Sequence, residues 1–209
     1  MINNMDMRTN IALLIEQAVN VVDTDTLNTS IRLTDEEQLF LCKHFERVEL
    51  DKNDYLIRKG EVENYIYFIE SGIFRYWVSG MDSDTEVTCG FSFSCEFANA
   101  YSSLNNKELS VFNVQALCKS VIWRLSKRNL SYLYKTSLNI NKIMRVTLEY
   151  AFARKTVREL SLLRYTPEER YVKLLEGDKM LLQNIPLKYI ASYIGITPQA
   201  LSCIRKRIT

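Results

Sequence analysis

A chain of 209 residues with 47% hydrophobic content is long enough to build one large domain or two small ones. Charged residues make up 25%, an ordinary share for a globular chain, and no apolar run approaches the about 20 residues of a membrane span. The start, Met1 to Arg8, lacks a charged-then-apolar leader, so a cytoplasmic chain with no membrane partner is expected.

Residues 7–22 read as a short amphipathic helix, with Ile11, Leu14, Ile15, Ala18, Val19 and Val22 on one face. A second helix is announced by Thr34-Asp35-Glu36-Glu37, a capping box, and is expected to run to about Phe45. Short strand-like runs follow at Arg47–Leu50, Tyr55–Arg58, Tyr65–Glu70, Ile73–Ser79, Glu86–Phe93, Ser110–Leu117 and Val121–Leu125, separated by Asp, Asn, Gly and Ser turns. That spacing suits an antiparallel sandwich or jelly roll.

Beyond Ser126 the hydrophobic period turns helical. Ile143, Val146, Tyr150, Ala153, Val157 and Leu160 recur at alternating steps of three and four, a seam that predicts dimerisation, with a single wide stripe buried in one chain as the alternative. A second stripe, Ile140, Met144, Leu148 and Phe152, lies beside it. Thr166-Pro167-Glu168-Glu169 caps a separate helix expected to reach Leu175. All three prolines fall in the last 45 residues, whereas Gly60, Gly72, Gly80 and Gly90 punctuate the middle. The expected fold class is therefore α+β. Residues 1–127 are expected to form the jelly roll with its N-terminal helices, 128–162 a long dimerisation helix, and 163–209 an all-α helix-turn-helix domain.

The C-terminal segment carries the sharpest signal. Leu187, Ile190, Ala191 and Ile194 line one face of a short helix, and Gly195 supplies the positive φ that ends it. Thr197 caps the next helix, Pro198 opens it, and Leu201 and Ile204 return it to the first. Gln199, Ser202, Cys203, Lys206 and Arg207 then point away, as in the unit that enters a DNA major groove. From Arg154 onward there are 11 Lys and Arg against 5 Asp and Glu, whereas residues 1–153 carry 16 against 20. A basic C-terminal part suits phosphate contact, so double-stranded DNA is the expected partner. Gln199 and Ser202 are expected to read bases, with Lys188, Arg205, Lys206 and Arg207 supplying affinity.

Five scattered cysteines (Cys42, Cys89, Cys95, Cys118, Cys203) include no CxxC pair, and His44 is the only histidine. A disulfide framework, a zinc site or an iron–sulfur cluster has little to be built from, and no metal or cofactor is expected. No Ser/His/Asp or paired-carboxylate arrangement stands out, so the chain is not expected to be an enzyme.

The run Arg58-Lys59-Gly60-Glu61 followed by Tyr65-Ile-Tyr-Phe-Ile-Glu-Ser-Gly72 resembles the opening of the β-roll of the Crp/Fnr family of bacterial transcription regulators. Pro186 to Ser202 is similar to the short-tailed helix-turn-helix of family members from the Bacteroidetes. The resemblance implies a cyclic-nucleotide-binding fold, a homodimer, DNA and RNA polymerase as partners, and a small-molecule effector not identified by the sequence. It maps the effector pocket to Glu96, Phe97, Ala98, Ser110 and Val111. The family's phosphate-binding arginine is replaced by Ser110, and no arginine lies between Arg75 and Arg124. A cyclic phosphate would lose a charge-assisted bond of about 1.5–3 kcal/mol, so cyclic AMP is not the expected effector. An inert, filled roll is the alternative. Residues 1–41 lack the cysteines of the iron–sulfur branch, and His44 reads as structural. In the reading helix Cys203 replaces an arginine, and with the sequence ending at Thr209 no wing strand is expected. The alternative function is a sensory or scaffold protein that has lost DNA binding.

Overall fold

A computed structural model describes residues 10–22, 31–80, 85–177 and 179–208. The chain opens with α1 (Ile11–Val22), whose Ala12 N–H is met by the Asn10 side chain at 3.0 Å. Ile11, Ala12, Ile15, Ala18 and Val19 are buried, as the stripe requires; residues 7–9 of the expected helix and the Val22 side chain lie outside the described part. The capping box at Thr34 and Glu37 starts α2 (Asp35–His44), each residue's side chain accepting from the other's N–H.

Six strands follow: β1 (Glu46–Leu50), β2 (Tyr55–Ile57), β3 (Tyr65–Ser71), β4 (Ile73–Ser79), β5 (Glu86–Phe93) and the short β6 (Phe97–Ala98). After α3 (Tyr101–Asn106) come β7 (Asn113–Ala116) and β8 (Ser120–Ser126). The strand expected from Ser110 begins three residues later. The Ser110 hydroxyl donates to the Phe112 carbonyl and accepts from the Phe112 N–H, a local turn that competes with strand pairing. The strands form two four-stranded sheets, ordered β1-β8-β3-β6 and β2-β7-β4-β5. In the first, Ile66 pairs with Leu125 and Phe68 with Trp123. Gly72, between β3 and β4, has φ 128, and a Cβ there would lie 2.1 Å from the Ser120 hydroxyl. Close strand approach excludes any side chain at this position.

The single long helix expected over 128–162 is two helices, α4 (Lys127–Thr136) and α5 (Leu138–Arg164). Ser137 separates them in extended backbone, and its hydroxyl accepts from the Ile140 N–H to cap α5. The chain ends with α6 (Pro167–Gly177), α7 (Lys179–Asn184), α8 (Leu187–Tyr193) and α9 (Pro198–Ile208).

Two compact units result. The first holds the described residues up to Phe74 together with Phe91–Ala151. Its core joins Ile66, Phe68 and Leu125 of the first sheet to Leu41, Leu130, Leu133, Ile140, Ile143 and Met144 of the helices. The second unit holds Arg75–Gly90 with the residues from Phe152 onward. The sequence divides at 127/128 and 162/163; these units divide within α5 and assign the outer β4–β5 hairpin to the C-terminal helices.

That hairpin has polar reasons to sit there. Arg75 is only 1% exposed; its Nε donates to the Thr88 hydroxyl at 2.9 Å, and its guanidinium pairs with Glu86 at 2.6 Å. The same guanidinium lies 3.8 Å from the centre of the Tyr189 ring in α8. The Ser192 hydroxyl accepts from the Thr88 N–H and donates to the Glu86 carbonyl, while Arg158 donates to the Thr88 carbonyl.

In the first unit, Glu37 does more than cap α2. Its carboxylate also accepts from the Ser137 hydroxyl and from the Asn139 amide at 3.0 Å, tying α2 to the start of α5. Burial works against its charge, but the bonds from Asn139, Ser137 and Thr34 prevail and hold its carboxyl below the ordinary range. A depressed folded pKa stabilises above the unfolded value, and this contribution is lost as pH falls through the folded one. Glu37→Gln is expected to cost about 1–2 kcal/mol at neutral pH, and progressively less as acid protonates the wild type. Urea unfolding of both proteins from neutral pH downward checks this; a deficit independent of pH would contradict it.

Candidate functional site

Helix α8 ends in a Schellman turn, which is why α9 leaves at a sharp angle. Gly195 has φ 77, its N–H donates to the Ser192 carbonyl at 3.1 Å, and the Ile196 N–H donates to the Ala191 carbonyl at 3.0 Å. The Thr197 hydroxyl then accepts from the Ala200 N–H, and Pro198 starts α9 without wasting a donor. Ile190, Ala191, Ile194, Leu201 and Ile204 are buried between the helices. That one-sided anchoring turns the rest of α9 outward. Gln199, Ser202, Cys203, Arg205, Lys206 and Arg207 are all exposed, as are Thr197 and Lys188.

Ser202 and Arg207 are among the side chains committed within the protein. The Ser202 hydroxyl donates to the Pro198 carbonyl at 3.0 Å, which spends its proton and leaves its lone pairs outward. Arg207 pairs with Glu168 at 2.9 Å, joining the last turn of α9 to the first turn of α6. The Lys188 ammonium lies 4.8 Å from the Tyr189 ring centre. Among the described residues no group of three or more His, Cys, Asp or Glu is placed to hold a metal.

The residues expected to line an effector pocket come from separate strands and turns. Glu96 belongs to the turn between β5 and β6, where its carboxylate accepts from the Phe93 N–H and its carbonyl from Ile69. Phe97 and Ala98 pair with Phe68 and Tyr67 in β6. Ser110 instead sits against the turn before β3, donating its N–H to Glu61 and accepting from the Gly60 N–H, and Val111 is exposed.

The polar group beside α3 is one that sequence reasoning missed. Glu63 is 2% exposed, and its Oε1 accepts from the Asn64 and Tyr65 N–H groups and from the Tyr67 hydroxyl. Its own N–H donates to the Ser103 hydroxyl in α3, and that hydroxyl donates to the Glu108 carbonyl. Burial pushes the Glu63 carboxyl above the ordinary range despite these bonds.

Residues 47–137 match the family described as cyclic nucleotide-binding domain. Among solved structures, the chain is similar to the c-di-GMP responsive global regulator CLP of Xanthomonas campestris, at 18% identity and a TM-score of 0.67, covering 81% of this chain and 88% of that one. FixK2 of Bradyrhizobium japonicum is 17% identical with a TM-score of 0.66, over 78% and 84% of the two chains. A putative Crp/Fnr-family transcriptional regulator of Eubacterium rectale is 13% identical with a TM-score of 0.66, over 84% and 83%. The chain shares the fold of these regulators. No curated protein matches the sequence significantly. No helix among the described residues is long and apolar enough to cross a membrane.

In this fold the heptad seam of α5 divides in two. Ile143 and Val146 are 1% and 7% exposed and belong to the chain's own core, because the first half of α5 covers the roll's helical face. Tyr150, Ala153, Val157 and Leu160 are exposed, the last two at 68% and 55%. A seam available to a partner therefore starts at Tyr150, and Phe152 and Leu163 flank it at 73% and 80% exposure.

The raised Glu63 carboxyl has a consequence for stability. The folded state holds this proton more tightly than the unfolded state, so stability falls as pH rises from the unfolded to the folded pKa. Glu63→Gln should abolish this part of the pH dependence, as read by denaturant midpoints from about pH 4 to 8. A variant that keeps the full wild-type slope would contradict the assignment.

Proposed function

We infer that the chain is a homodimeric, sequence-specific DNA-binding transcription regulator. The observation that carries this reading is α9, anchored by Leu201 and Ile204 while Gln199, Ser202 and Cys203 face outward and Arg205 and Lys206 follow in the last turn. Gln199 reaches a base edge from the N-terminal half of the helix, where this motif meets the groove floor, and suits adenine. Lys188 and Lys206 supply charge that attracts any duplex. With Arg207 held by Glu168, affinity rests more on Lys206 than on the terminal arginine.

Dimerisation through Tyr150, Ala153, Val157 and Leu160 is supported by an apolar stripe left open on a helix whose other face is already buried. Pairing two such helices sets two copies of α9 side by side, as a two-fold operator requires. The roll serves as a sensor or brace that does not take a cyclic phosphate. A serine turned into its own loop and a buried carboxylate beside α3 both disfavour a phosphate there.

Gln199→Ala is expected to cost about 1–3 kcal/mol on the preferred duplex and little on random DNA. Lys206→Ala should weaken both alike and flatten the salt dependence by about one unit per contact. Fluorescence anisotropy against salt separates the two effects; absence of any duplex retention by the wild type would favour a scaffold that has lost DNA binding. Val157→Glu with Leu160→Glu should halve the mass seen by light scattering while the protein stays folded. An unchanged dimer mass would remove the seam from the account.

A further inference from the structure

The contacts between the β4–β5 hairpin and α8 are polar and stereochemically demanding, and they centre on Arg75 and Thr88, both buried. β5 is the edge strand of its sheet, where outward N–H and C=O groups need partners. Those partners come from the C-terminal helices: Ser192 takes both the Thr88 N–H and the Glu86 carbonyl, and Arg158 takes the Thr88 carbonyl. From beneath, Arg75 spans the hairpin to Thr88 and Glu86 and lays its plane on the Tyr189 ring at 3.8 Å. Mere packing needs no buried guanidinium, since an apolar side chain of similar volume fills such a space without the desolvation cost. A planar cation pinned at two points and stacked on a ring instead fixes orientation.

We propose that Arg75 is a positioning residue for the DNA-facing helix. Held by the hairpin, it fixes Tyr189 and hence α8, and α8 in turn fixes α9 through Ala191, Leu201 and Ile204. The hairpin is thereby a structural part of the reading head, and residues 163–209 do not form a self-sufficient DNA-binding module. Base contacts depend on side-chain placement far more than phosphate contacts do. Loss of the stack therefore lowers discrimination between sequences and spares general affinity.

This rests on the reading of α9 as a base-reading helix, and the test separates the two claims. In the full-length protein, Arg75→Met and Tyr189→Leu are compared with Tyr189→Phe, which keeps the ring. The ratio of affinities for the selected duplex and for random duplex is expected to fall about tenfold in the first two, the worth of one base contact, and to stay at the wild-type value in the third. Affinity for random duplex should remain within about twofold in all three, as the phosphate-facing charges are untouched. Hydrogen exchange gives a readout that needs no DNA: amides of α8 and α9 should exchange faster in Arg75→Met, while those of β1, β3 and β8 do not change. Should Arg75→Met not fold, Tyr189→Leu carries both measurements. Wild-type exchange in α8 and α9, or an unchanged affinity ratio in folded Tyr189→Leu, overturns the proposal. Faster exchange in Arg75→Met, together with a wild type that retains no duplex, would uphold the hairpin's hold on α8 and overturn only the DNA reading.

Discussion

Everything the C-terminal helices can present depends on one backbone constraint, the positive φ of Gly195. At φ 77 an L side chain is strained, and a Cβ would also meet Leu162 at 3.4 Å. With glycine there, α8 stops in a Schellman turn and α9 starts two residues later at Thr197 and Pro198. Ala191 is then small enough to let Leu201 and Ile204 seat against α8, and this seating turns every polar residue of α9 outward. Local chain stereochemistry thus determines which face of the molecule carries its chemistry.

The strands are governed by buried charge. Glu63 and Arg75 are both nearly inaccessible, yet they are satisfied differently. Glu63 gathers three donors on one oxygen and knits the start of β3 to α3 through Ser103, with its other oxygen lacking a partner among the described residues. Arg75 is paired with Glu86 and Thr88 and stacked on Tyr189, so its cost of burial is offset by charge-assisted bonds. The first joins the start of β3 to α3, and the second joins the β4–β5 hairpin to α8.

What the sequence made legible was mostly local. The capping boxes at Thr34 and Thr166, the turn at Gly195 and the strands at Ile73–Ser79 and Glu86–Phe93 are written in neighbouring residues, and the structure reproduces them. α3, at six residues, is too short to show a period, and Ser137 breaks α4 from α5 with no glycine or proline to signal it. Periodicity placed Ile143 and Val157 on one seam, but it cannot say that the core covers the first and not the second. Resemblance maps Glu96 to the effector pocket, and its carboxylate accepts from the Phe93 N–H within its own turn. Glu63 and Arg75 acquire their roles from partners as distant as Ser103 and Tyr189, and no local pattern marks them.

The proposed dimer, with two copies of α9 related by its axis, makes a geometric claim about DNA that no single-site property can imitate. Selection from random duplexes by the purified full-length protein tests it most directly. The account predicts enrichment of an inverted repeat whose half-sites lie about one helical turn apart, about 34–36 Å. An unenriched pool, or a single asymmetric site bound by one copy of the chain, would contradict it.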